Sequence, residues 1–203
     1  MQWWEKTVEY FFIKKYVADH LVAPLDGRHE LAGDAILSDN QQKWIMIEFK
    51  ARAESLDTEK KKFKSYNDAY NALEAHDHHH YLIYGEILNG KFDLVAKTYF
   101  SRRVPKDIKK ILEYGRDLDS FLKYLNFFIK FKNEKGTSSS GNIGSYAFIA
   151  GINNNNEITT CMSLQEFGLK HKVLGLEATP KEEKQKEITR EREIDRDGPS
   201  FGF

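Results

Sequence analysis

The sequence of 203 residues has a single cysteine, Cys161, and four prolines. One cysteine cannot form an internal disulfide, which is typical of proteins in a reducing compartment. No apolar run approaches the roughly 18 residues that a membrane-spanning helix needs. The opening residues, MQWWEKTVEY, lack the apolar segment and the small-residue cleavage site of a signal peptide. These absences predict a cytoplasmic protein that does not insert into membranes.

The sequence also lacks a net charge, with 31 basic and 31 acidic residues. Overall charge therefore gives no argument for nucleic-acid binding. Residues 177–203 contain eight acidic and six basic residues and no apolar stripe. This composition predicts a flexible, charged tail behind a folded domain of residues 1–176. The tail ends in acidic residues, a proline and two phenylalanines, so docking on a protein partner is an open alternative.

Hydrophobic periodicity predicts an α/β protein. Residues 2 to about 20 carry an apolar stripe of helical spacing, and a second such stripe extends to Ala75 from a cap at Asp57 or Thr58. Asn89-Gly90 separates two apolar runs and predicts a hairpin, because both residues tolerate positive φ. Further helices, a hairpin around NNNN and a short helix capped by Ser163 and Glu166 follow. The order predicts a central mixed sheet with flanking helices.

The stretch GDAILSDNQQKWIMIEFKA, residues 33–51, contains charged residues where a core strand needs none. Alternation along a strand places Ile45, Ile47 and Phe49 on one face. Glu48 and Lys50 project from the other face, and Asp34 can approach them if residues 31–37 form an antiparallel partner strand. Two carboxylates and a main-chain carbonyl suit Mg²⁺ or Mn²⁺. Such a metal and a nearby lysine suit phosphodiester hydrolysis.

Asp34 followed by Glu48-Phe49-Lys50 at the end of an apolar strand resembles the catalytic hairpin of the PD-(D/E)XK nuclease superfamily. The resemblance covers roughly residues 3–100 and implies a restriction endonuclease-like αβββαβ core. It also implies that Asp34, Glu48 and the Phe49 carbonyl bind metal and that Lys50 is catalytic. Residues 1–176 are thus expected to be a nuclease-like domain. Gly33 stands where the usual proline precedes the aspartate.

Many members of this superfamily place an additional glutamate on the first helix. Glu5 and Glu9 are candidates, one turn apart on the same face. Glu9 precedes more apolar residues at helical offsets than Glu5 does, so Glu9 is the preferred choice for the fourth catalytic residue.

Two charged stretches have less specific interpretations. The run HDHHH, residues 76–80, is interpreted as a polar loop before a strand rather than a metal site, because consecutive histidines rarely converge on one ion. The run EKKKFK, residues 59–64, is interpreted as a solvated helix face with Phe63 turned inward. The lysines of this run could also contact phosphates.

Three functions follow as hypotheses. The first is a nuclease dependent on Mg²⁺ or Mn²⁺ that hydrolyses phosphodiester bonds in DNA. The second is a catalytically inactive nuclease-like module that binds nucleic acid or a protein partner. The third is an RNA-directed nuclease of the same fold. The residues do not separate DNA from RNA or endonuclease from exonuclease, and a homodimer is an open alternative.

Overall fold

A computed structural model describes residues 2–17, 42–132 and 147–173. The helices are α1 (Glu5–Tyr16), α2 (Tyr66–Leu73), α3 (Leu118–Phe131) and α4 (Leu164–Lys170). The strands are β1 (Lys43–Lys50), β2 (His80–Leu88), β3 (Lys91–Thr98), β4 (Ala147–Ile152) and β5 (Ile158–Ser163). Two longer 3₁₀ segments, Ala53–Lys62 and Ile108–Glu113, connect them, and a short one, Glu74–His76, follows α2. Within these ranges, no helix is long and apolar enough to cross a membrane.

The strands form one mixed sheet in the order β3-β2-β1-β4-β5. β1 runs parallel to β2 and antiparallel to β4, and the two hairpins β2–β3 and β4–β5 complete the sheet. The α/β class, the mixed sheet and the flanking helices predicted from the sequence are therefore confirmed. The turn of the β2–β3 hairpin has Asn89 and Gly90 at φ values of 51° and 77°, as their residue types predict.

The structure pairs β1 with two strands from later in the chain. Residues 31–37, with Asp34, lie outside the described residues. β1 pairs through Met46–Lys50 with β2 and through Lys43–Glu48 with β4. Among the described residues, the antiparallel neighbour of β1 is β4, which comes about 100 residues later in the chain. The predicted hairpin between residues 31–37 and β1 therefore stays a prediction.

The sheet separates two apolar cores. On one face, α1 and the segment Ile108–Glu113 cover Ile45, Ile47 and Phe49 of β1. On the other face, α2, α3 and α4 cover Trp44 and Met46 of the same strand. This alternation agrees with the strand faces predicted from the sequence. Glu48 and Lys50 follow on the face of Trp44 and Met46, where β1 ends beneath the loop that leads to α2.

The predicted helix from Asp57 to Ala75 is two elements in the structure. The 3₁₀ segment Ala53–Lys62 ends at Phe63, and α2 begins after Ser65, whose hydroxyl accepts a hydrogen bond from the Asp68 amide. Between them, Phe63 pairs with Lys132 in an isolated antiparallel bridge. This bridge brings the end of α3 next to the end of β1.

Candidate active site

A cluster of charged side chains is buried at the carboxyl end of β1. Its members are Glu48, Lys50, Glu59, Lys132 and, less buried, Lys62. They come from β1, from the 3₁₀ segment Ala53–Lys62 and from the residue that follows α3. Charged groups are almost never fully buried unless they are paired, and every member of this cluster is paired.

Glu48 lies at the centre of the cluster. One of its carboxylate oxygens, Oε1, is 3.3 Å from Lys132 Nζ, and the other, Oε2, is 3.0 Å from Lys62 Nζ. Burial alone would raise the pKa of Glu48, but the charges of Lys132 and Lys62 outweigh it and hold this pKa well below its ordinary value. Glu48 is therefore a carboxylate at neutral pH.

Glu59 is the second acid of the cluster. Its Oε1 is 2.7 Å from both Lys50 Nζ and Lys62 Nζ, and the Tyr99 hydroxyl donates a hydrogen bond of 2.7 Å to its Oε2. Burial and the negative charge of Glu48 raise the pKa of Glu59. Because the pKa of Glu48 is lowered and that of Glu59 is raised, a proton in this pair resides preferentially on Glu59.

Lys50 joins the cluster to α1. Its Nζ is 2.7 Å from Glu59 Oε1 and 3.4 Å from Glu5 Oε1. Trp3 anchors the start of α1 nearby, because its indole donates a hydrogen bond of 2.5 Å to the carbonyl of Ala51. The lysine that the resemblance implies is catalytic thus lies between the side chains of Glu59 and Glu5.

The sequence-based choice between the two acids of α1 is not supported by this geometry. Glu9 forms an ion pair of 2.8 Å with Lys6, one turn away on the same helix. Glu5, not Glu9, contacts Lys50. The apolar residues that follow Glu9 in sequence line the inner face of α1, but the Glu9 carboxylate itself turns to the Lys6 side.

The interpretation of the run EKKKFK as a solvated helix face is confirmed in part, since three of its lysines are exposed and Phe63 is buried, but Glu59 and Lys62 turn inward. Glu59 is completely buried, and Lys62 bridges it to Glu48. In a 3₁₀ helix, residues three apart lie directly above one another. Leu56, Glu59 and Lys62 therefore form one inward row. Their spacing of three was the signal that could have found Glu59, but an α-helical interpretation of the segment obscured it.

The histidine run leads into β2 through a turn, as predicted, but it is more buried than the polar loop that the sequence indicated. His79 and His80 are buried, and His80 begins β2. The His80 ring stacks on Tyr99 with centroids 4.0 Å apart, and its Nδ1 lies 2.9 Å from the Tyr124 hydroxyl. Its Nε2 is 4.0 Å from Glu48 Oε1. Burial lowers the pKa of His80 well below its ordinary value, so the ring is neutral beside Glu48.

The cluster contains two donors of the type that binds hard divalent cations. Glu48 and Glu59 supply neighbouring carboxyl groups, and carboxylate oxygens are the ligands that Mg²⁺ and Mn²⁺ prefer. In the part of the chain that the structure describes, no three or more His, Cys, Asp or Glu side chains form a group that could hold a metal ion. A further ligand from Asp34 stays a prediction of the resemblance, as does the role of the Phe49 carbonyl.

Comparisons with known proteins assign no family to this chain: no family model, no curated protein and no solved structure matches it.

Proposed function

We propose that this chain is a metal-dependent nuclease that hydrolyses phosphodiester bonds, with DNA as its substrate. The observation that carries the proposal is the burial of Glu48, Lys50 and Glu59 at one end of the central strand. Burying ion pairs contributes little net stability, because desolvation offsets their attraction. Displaced pKa values of acids that converge in this way are typical of functional sites.

Each residue has a definite task in this proposal. Glu48 and Glu59 would hold the divalent ion, together with Asp34 and the Phe49 carbonyl that the resemblance implies. When bound, such an ion acts as a Lewis acid that polarises a phosphoryl oxygen, and it lowers the pKa of a bound water molecule. Lys50 places a positive charge where the phosphate becomes more negative as water attacks. Because Glu59 and Glu5 hold Lys50 in place, little reorganisation is needed during the reaction.

Exposed lysines next to the cluster support a nucleic-acid substrate. Lys60, Lys61 and Lys64 belong to the same stretch as Glu59 and Lys62 and are exposed. Lysines on the rim of a site contact the phosphate backbone and position it without reading sequence. A polyanion held by these lysines would lie beside the end of β1.

The second candidate, a module that binds without cutting, is also supported by one observation. Both oxygens of Glu48 already have lysine partners, at 3.0 Å and 3.3 Å. An acid compensated in this way is stable without a metal, so the cluster could persist as a structural feature of a nuclease-like module.

A cleavage experiment separates these candidates. The protein is incubated with single- and double-stranded DNA and RNA in the presence of Mg²⁺, Mn²⁺ or a chelator. We expect DNA cleavage with metal and none with chelator. Glu48→Gln should reduce the cleavage rate at least about 100-fold, because it removes a negatively charged carboxylate that would hold the metal ion. Glu86→Gln, a matched change at an exposed glutamate of β2, should retain the rate of the parent protein.

The other outcomes are equally informative. Cleavage of RNA but not DNA would favour the RNA-directed alternative. Binding without cleavage of any substrate, with or without metal, would overturn the proposal in favour of the non-catalytic module. Equal rates for Glu48→Gln and Glu86→Gln would place the activity away from β1.

A further inference from the structure

Lys62 lies between the two acids that the proposed function assigns to metal binding. Its Nζ is 3.0 Å from Glu48 Oε2 and 2.7 Å from Glu59 Oε1. A divalent cation that bridged the same oxygens would need them at roughly 2.0–2.1 Å for Mg²⁺. An ammonium group and a metal ion cannot both occupy this position, because they would be in contact and carry the same sign of charge.

Lys62 is also the member of the cluster that has a route to solvent. Its side chain is 37% exposed, against 9% for Lys50 and 7% for Lys132. Lys132 is further held by the rings around it, with its Nζ 4.4 Å from the centroid of Phe128. Lys50 is buried between Glu59 and Glu5. Of these three lysines, Lys62 is therefore the one that can leave without a rearrangement of the core.

His80 supplies an independent indication that a ligand enters here. Its Nε2 is completely buried, has no hydrogen-bond partner among the described residues and faces Glu48 Oε1 at 4.0 Å. Buried ring nitrogens usually have a partner. An ion at Glu48 with its own water ligands would bring a polar group within reach of this nitrogen.

We propose that Lys62 is a resident counter-ion that occupies the cation position between Glu48 and Glu59 and turns out to solvent when Mg²⁺ or Mn²⁺ binds there. The inference rests on the proposed function for the identity of the ion. It makes Lys62 a residue that regulates the access of the ion to the site. It also makes Glu59 a metal ligand that the D…ExK motif does not include.

The first test is calorimetric titration with Mn²⁺ of the parent, Lys62→Met and Lys91→Met. We expect Lys62→Met to bind Mn²⁺ at least tenfold more tightly than the parent, because no resident charge has to be displaced. Lys91→Met should bind like the parent, because Lys91 is an exposed lysine of β3 that belongs to no part of the cluster. Equal or weaker binding by Lys62→Met, or no binding by any of the three, would overturn the inference.

The second test needs no variant, so a folding defect in Lys62→Met cannot affect it. Lysines of the parent are acetylated with and without saturating Mn²⁺, and the rate at each lysine is followed by mass spectrometry. Lys62 should react several-fold faster with Mn²⁺, while Lys60 should not change. An unchanged rate at Lys62 would contradict the proposed displacement.

Cleavage measured in parallel separates this inference from the proposed function. Tighter Mn²⁺ binding by Lys62→Met without nuclease activity in any protein would support the counter-ion and reject the nuclease. If the parent cleaves DNA in a metal-dependent way and Lys62→Met binds Mn²⁺ with the parent's affinity, the nuclease would be supported and the counter-ion rejected.

Discussion

At the scale of single residues, the site depends on side chains whose charge state is set by burial. Glu48 is ionised because Lys132 and Lys62 compensate it, and His80 is neutral because it is buried. His79, which precedes it, is packed against the rings of Tyr124 and Phe121 at centroid distances of 4.5 Å and 5.5 Å. None of these burial states is visible in the sequence, where the histidines stand in a polar run.

His79 gives the protein a measurable sensitivity to acid. Burial lowers its pKa to about 3 in the folded protein, against roughly 6.5 in the unfolded chain. The unfolded chain therefore binds a proton that the folded protein does not. The contribution of neutral His79 to the free energy of unfolding is complete above pH 6.5 and is lost as the pH falls toward 3. Between pH 7 and pH 5 the free energy of unfolding should fall by about 2 kcal/mol on account of His79.

Urea unfolding at pH 7 and pH 5 checks this expectation. His79→Phe keeps an aromatic ring in the core but has no imidazole to protonate. Between pH 7 and pH 5, the free energy of unfolding of this variant should therefore fall by about 2 kcal/mol less than that of the parent. His76→Phe, at the exposed end of the same run, should show the parent's fall. The same pH dependence in all three proteins would show that His79 is protonated in the folded state.

At the scale of elements, the 3₁₀ segment Ala53–Lys62, between β1 and α2, matters most for the site. An amphipathic pattern of period 3.6 predicts an α-helix here, but the chain forms a tighter helix with three residues per turn. This difference turns Glu59 and Lys62 inward, next to Glu48 and Lys50. Glu48 and Lys50 themselves were predictable, because alternation along a strand fixes their common face.

The start of α1 allows a direct test of which glutamate serves the site. Glu5 is 3.4 Å from Lys50, whereas Glu9 pairs with Lys6. We therefore expect Glu5→Gln to lower the cleavage rate more than Glu9→Gln does, since only the first change removes a negative charge beside Lys50. Single-turnover rates with both variants measure the difference. A larger loss with Glu9→Gln would restore the choice made from the sequence.

At the scale of the whole molecule, local patterns predicted the elements better than their partners. The hairpins at Asn89-Gly90 and around residues 153–156 follow from turn chemistry between neighbouring segments. The pairing of β1 with β4 joins segments about 100 residues apart, and nothing local specifies it. Lys132 was missed for the same reason, because only the bridge between Phe63 and Lys132 brings it to Glu48.

The central claim is that Lys50, at the end of β1, takes part in phosphodiester hydrolysis. Its most direct test is the single-turnover rate of DNA cleavage by Lys50→Ala with saturating Mn²⁺, beside Lys91→Ala, a matched change at an exposed position of β3. We predict a loss of roughly 100-fold or more for Lys50→Ala, typical of one aimed electrostatic donor, and no loss for Lys91→Ala. Mn²⁺ affinity should not fall in Lys50→Ala, because removing a nearby cation relieves repulsion. Cleavage by Lys50→Ala at the rate of the parent would contradict the account.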